Sequence, residues 1–89
     1  MPFPSDVLLA ISKRMTDSSW EILQILKSKE SLAILDLMAL SQLKQSKFSA
    51  ELARLDGAAL IEQQKDPKDN RRIFVSINEN GLAIMSYRS

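Results

Sequence analysis

Residues 60–77 interrupt an otherwise helical chain, and that interruption limits the folds open to it. Up to residue 57, apolar side chains recur three and four apart. From Leu60 the period shortens. Residues 60–65 have an extended character, Asp66-Pro67-Lys68-Asp69-Asn70 is a dense turn signal, and residues 71–77 alternate. Ile73, Val75 and Ile77 fall on one face of that strand, with Arg72, Phe74 and Ser76 on the other. Two strands joined by a five-residue polar loop make a hairpin.

Four helical segments precede it. Ser5 caps the first, with Asp6 in the opening turn and Val7, Leu8, Ile11 and Met15 at helical spacing. Asp17-Ser18-Ser19 caps the second, in which Trp20, Ile22, Leu23, Ile25 and Leu26 form a broad apolar face ending in Lys27-Ser28-Lys29. Trp20, set among aliphatics, is expected in the core. Residues 31–33 read as either a short strand or a connector. A short helix follows at 34–40, with Leu37, Met38 and Leu40 inward. After a turn at 41–43 comes an amphipathic helix at 45–56 with Phe48, Leu52 and Leu55 inward. Asn78 caps a last helix from Glu79 to about Tyr87. The predicted class is α+β, mainly α: a winged helix-turn-helix with the helix-turn-helix at about 34–57, the wing at about 60–77 and a C-terminal helix at about 79–87, all in one domain over residues 1–89.

Composition narrows the chemistry. The 89 residues include no cysteine and no histidine, which removes disulfides, thiolate nucleophiles, the usual zinc ligands and the commonest general base. Only two glycines are present, so there is no glycine-rich phosphate loop. Asp66 and Asp69 sit beside Lys65, Lys68 and Arg71, an arrangement of solvated ion pairs rather than an acid–base pair. No enzyme and no cofactor is expected. No apolar run is long enough to span a bilayer, and the acid at position 6 interrupts any signal peptide, so a cytoplasmic domain is expected. Net charge is only +1, but residues 44–72 carry seven basic and five acidic side chains.

The stretch Leu55-Asp56-Gly57-Ala58-Ala59-Leu60-Ile61, followed by Asp66-Pro67-Lys68-Asp69-Asn70-Arg71 and then Asn78-Glu79-Asn80-Gly81, resembles the wing region of MarR-type winged-helix regulators. The resemblance covers about residues 20–85 and is most specific at 66–81. It has the form of a short member with reduced terminal helices, since eight residues follow Gly81. The family's usual glycine before Leu-Ile is Ala59 here, which leads one to expect a different cap on the preceding helix.

This resemblance implies a transcriptional regulator that binds double-stranded DNA as a homodimer, with no membrane association. A small-molecule effector is not expected, because family pockets lie beside the long terminal helices. The start of the amphipathic helix would read the major groove through Lys44, Gln45, Ser46, Lys47 and Ser49, since glutamine suits adenine and lysine suits guanine. Arg54, on the outer half of the same helix, is a phosphate candidate. By the resemblance Arg71 is the wing-tip contact at the minor groove, oriented by Asp69. Arg72, on the opposite strand face, is expected to touch phosphate, and Lys65 and Lys68 are further phosphate candidates. Phe74 calls for a cover from another element or a partner. Phe3, Val7, Met85 and Tyr87 are candidates for a small subunit contact. The alternative is a winged-helix interaction module that modulates another regulator without reading DNA, favoured by the low net charge and by Gln63 and Gln64 where basic residues are usual.

Overall fold

The computed structural model describes residues 2–88; positions 1 and 89, the ends of the domain read from the sequence, lie outside the described residues. Three antiparallel strands form one sheet: β1 (Ser31–Ala33), β2 (Ile61–Lys65) and β3 (Ile73–Ile77), in the order β1-β3-β2. Residues 31–33 are therefore a strand, with Ser31 opposite Ser76 and Ala33 opposite Phe74. On its other side β3 pairs Ile77 with Ile61 and Ile73 with Lys65. Being central, β3 is paired along both edges, and Val75 at its middle is fully buried.

Among the described residues there are five α-helices: α1 (Ser5–Ser12), α2 (Asp17–Lys29), α3 (Ile34–Ser41), α4 (Gln45–Gly57) and α5 (Glu79–Ile84), the last continuing as a 3-10 turn over Met85–Tyr87. The chain is thus α+β and mainly α, with a helix-turn-helix in α3 and α4 and a β2–β3 wing. The core joins Leu8 of α1, Trp20, Ile22, Leu23 and Leu26 of α2, Leu37 of α3 and Phe48, Leu52 and Leu55 of α4 to Leu60, Ile61, Val75 and Ile84. Trp20 is in this core as expected, and the Arg88 guanidinium lies 6.0 Å from its ring centre.

Several local expectations are corrected. Ser5 is the first helical residue of α1 rather than its cap; Pro4, whose ring fixes φ, holds the cap position. The cap of α2 is Thr16, one residue ahead of the Asp-Ser-Ser cluster, because Thr16 and Ser19 close a reciprocal capping box. Leu40 is exposed. The buried stripe of α3 runs through Ile34, Leu37, Met38 and Ser41, and Leu40 falls off its edge at 100° per residue. Val7 is likewise exposed, whereas Leu8 faces the core. The last α-helix stops at Ile84. The wing loop has seven residues, 66–72, because Asp66 N–H donates to the Arg72 carbonyl and closes the loop there, so β3 starts at Ile73.

The end of α4 keeps the left-handed geometry that a glycine would normally supply. Leu60 N–H donates to the Leu55 carbonyl and Ala59 N–H to the Asp56 carbonyl, the two bonds of a Schellman motif. Its left-handed position is Ala59, at φ 60. An alanine there costs about 1–2 kcal/mol in backbone strain. Glycine would relieve that strain but loosen the unfolded chain by about 0.4–1 kcal/mol. Ala59→Gly is therefore expected to stabilise the domain by roughly 0.5–1 kcal/mol in urea unfolding. Gly81 has the opposite sensitivity. A Cβ on it would stand 2.3 Å from the Leu60 carbonyl oxygen and 2.5 Å from Ile77 Cγ1. Gly81→Ala should lower the unfolding midpoint measurably, since the obstruction is partly backbone.

Candidate nucleic-acid interface

The turn between α3 and α4 is made without glycine. Gln42 takes a left-handed conformation, φ 60 and ψ 17. Ser41 Oγ donates to the Met38 carbonyl and accepts from Leu43 N–H, which brings the half-buried Leu43 against the core. Lys44 then caps α4 with an extended backbone, with no side chain bonded to the first turn and no acid within it. The opening amides of the helix, and the positive end of its dipole, are left available to an anion.

Phe48, Glu51, Leu52 and Leu55 point inward from α4, while Lys44, Gln45, Ser46, Lys47, Ser49 and Arg54 are exposed. The exposed side also carries Ala50 and Ala53, so its profile is low. Lys44, Gln45, Ser46, Lys47 and Ser49 lie within two turns at one end of α4. Arg54 is not with them. It stands seven residues further along from Lys47, roughly 10 Å down the axis, where it lines a cleft with Phe3, Val7, Ile11, Met15 and Ala58.

The wing tip is built from two aspartates used as local templates. Asp66 Oδ1 accepts from Lys68 N–H, and Asp69 Oδ1 accepts from Arg71 N–H. Asp69 also pairs with the Arg71 guanidinium, Nε to Oδ1 3.6 Å, while Arg71 remains 94% exposed. The Asp69–Arg71 pair expected from the sequence therefore forms at the tip. Arg72 places its guanidinium over Phe74, 5.1 Å from the ring centre, and Phe74 is half-buried beneath it. Lys65 and Lys68 are exposed.

Periodicity had a residue of consequence that the sequence reading passed over. Glu51 lies three residues after Phe48 and four before Leu55, inside the apolar stripe. Its side chain is 3% exposed. Oε2 accepts from Ser19 Oγ at 2.6 Å and from Thr16 Oγ1 at 2.7 Å, and Oε1 accepts from Lys47 Nζ at 3.1 Å. Burial pushes the carboxyl pKa up, but the Ser19, Thr16 and Lys47 donors outweigh it and hold the group at about 2, against an ordinary 4.5. Lys47 therefore has a partner that no reading of its exposure alone supplies. Among the described residues, no cluster of three or more His, Cys, Asp or Glu could hold a metal ion, and no helix is long and apolar enough to cross a membrane.

The winged helix DNA-binding domain family matches residues 15–81. The chain belongs to that family. Its fold is that of MarR-type regulators among solved structures. A probable transcriptional regulator from Pseudomonas aeruginosa superposes with a TM-score of 0.76 at 25% identity, over 90% of this chain and 64% of that one. The PcaV transcriptional regulator from Streptomyces coelicolor, in complex with its natural ligand, gives 0.76 at 22% identity over 81% of this chain and 51% of that one. A MarR mutant from E. coli complexed with operator DNA gives 0.76 at 18% identity over 92% of this chain and 60% of that one. This winged helix spans between 51% and 65% of the length of such structures. A search of curated proteins finds no match. The family is a DNA-binding domain, and the fold is shared with solved MarR-type structures.

The depressed Glu51 pKa sets a pH dependence. A carboxyl lowered from 4.5 to about 2 on folding contributes stability that is complete above the unfolded value and is lost as pH falls through the folded one. Unfolding free energy should decline between about pH 5 and 2, and Glu51→Gln should flatten that decline while costing about 1–3 kcal/mol at neutral pH, as read by urea titration at each pH.

Proposed function

We propose that this chain is the DNA-reading domain of a transcriptional regulator that binds double-stranded DNA as a homodimer. In this reading α4 enters the major groove with Lys44, Gln45, Ser46, Lys47 and Ser49 toward base edges and phosphates, and the wing carries Arg71 to the neighbouring minor groove. One observation carries it: an uncapped helix start crowded with exposed polar and basic side chains, on the same domain as an almost fully exposed arginine at the wing tip. Arg54, Arg72, Lys65 and Lys68 serve as phosphate contacts, and Asp69 orients Arg71. Two copies would present their α4 helices to half-sites about 34–36 Å apart. The operator complex of a MarR mutant with the same fold supports the reading. It requires no small-molecule effector, and it places the protein in the cytoplasm with its DNA.

Fluorescence anisotropy with duplex DNA tests it. Wild-type protein should bind more tightly than about 10⁻⁴ M at about 50 mM salt, and Arg71→Ala and Lys44→Ala should each weaken binding and lower the slope of log K against log salt by about 0.9. Unchanged affinity in both variants would refute the assignment. No duplex binding by the wild type would favour the alternative, an interaction module that modulates another regulator.

A further inference from the structure

Lys47 differs from Lys44, the other cation at the start of α4, in having a buried counter-charge. Its ammonium bonds Glu51 Oε1 at 3.1 Å, one helical turn away, while its side chain stays 51% exposed. Glu51 cannot swing out to follow it, because both hydroxyls of the α2 capping box anchor the other carboxylate oxygen. An ammonium so held has a fixed position, keeps two N–H donors, and carries a charge that is already matched. Lys44 has no such partner, and among the described residues no acid lies within its helix's first turn.

These facts bear on what each lysine can do in a groove. A free cation that meets a phosphate releases condensed counterions, and each such contact steepens the salt dependence. A neutralised, oriented ammonium adds direction without that term. We propose that Glu51 is a positioning residue that makes Lys47 a charge-neutralised hydrogen-bond donor for base edges rather than a phosphate anchor. This rests on the reading in which α4 enters a groove.

The experiment is a salt titration of binding to a mixed-sequence duplex, comparing wild type with Lys44→Gln, Lys47→Gln, Glu51→Gln and the double variant Glu51→Gln/Lys47→Gln. Lys44→Gln should lower the slope of log K against log salt by about 0.9, Lys47→Gln by less than about 0.3, Glu51→Gln should raise it by about 0.9, and the double variant should return it to the wild-type value. A residue that only held the fold together would lower the melting temperature and leave the slope alone. Should Glu51→Gln unfold, Glu51→Met removes the same charge and leaves Thr16 and Ser19 bonded to each other at 2.9 Å, with the same rise expected. In the free protein, the Lys47 ammonium should show restrained motion by nitrogen relaxation, unlike that of Lys44. An equal slope loss for Lys47→Gln and Lys44→Gln, no rise on removing the Glu51 charge, or equal mobility of the two ammonium groups overturns this proposal alone. Absence of any duplex binding by the wild type overturns the parent reading with it.

Discussion

A buried carboxylate ties the exposed helix to the rest of the domain. Glu51 is charged, almost fully enclosed, and tolerable only because three donors meet it. Two of them, Thr16 and Ser19, are also the capping box of α2, so the same hydroxyls end one helix and clamp another. The apolar contacts of Phe48, Leu52 and Leu55 hold α4 against the core without direction. Hydrogen bonds of 2.6 and 2.7 Å supply the direction, and with it the rotation of α4 that decides which side chains reach outward.

A second junction fixes the base of the wing. Asn78 accepts from Gly81 N–H and donates to the Ala59 carbonyl, and Asn78 N–H donates to the Leu60 carbonyl. Asn80 donates to the same Ala59 carbonyl and accepts from Phe3 N–H. The N-terminal segment, the end of α4 and the start of α5 thus meet at two asparagines, at the point where Gly81 lets the backbones approach. The wing tip is held differently. Its bonds at Asp66 and Asp69 reach only two or three residues along the chain, apart from the closure to Arg72. With a firmly bonded base and a locally bonded tip, Arg71 can shift without disturbing α4.

The element order could be read from periodicity because burial here follows it closely: the three-and-four spacing placed α4, and the alternation of Ile73, Val75 and Ile77 placed the central strand. The turn at 66–70 was legible from Pro67 and its two aspartates, though the closing bond at Arg72 was not, since it depends on how the strands meet. Caps slipped by one residue at Pro4 and Thr16, where several polar residues in a row offer near-equivalent starts. The end of α4 looked different from its family because Ala59 is not glycine, yet the left-handed turn survived; the need to direct Leu60 into the core outweighs a strain of about 1–2 kcal/mol. Glu51 was the substantive omission. A glutamate reads as solvent-facing by type, and only its place between Phe48 and Leu55 argued otherwise; the hydroxyls that make burial possible lie more than thirty residues away.

Low net charge is compatible with the proposed groove reading once the pairing is taken into account. At the proposed interface two cations, Lys47 and Arg71, each stand on an acid, Glu51 and Asp69, whereas Lys44 has none in its helix's first turn. The paired cations differ in strength of pairing: Glu51 is buried and doubly anchored, while Asp69 is 49% exposed and holds Arg71 at 3.6 Å, an attachment worth about 0–1 kcal/mol that a phosphate can replace. Unmatched charge raises affinity for every duplex alike, and so narrows the gap between a correct site and a wrong one. A chain that matches part of its interface charge internally keeps its directional donors while limiting the attraction that all DNA shares. A net charge of +1 is then no argument against the proposed use of those donors.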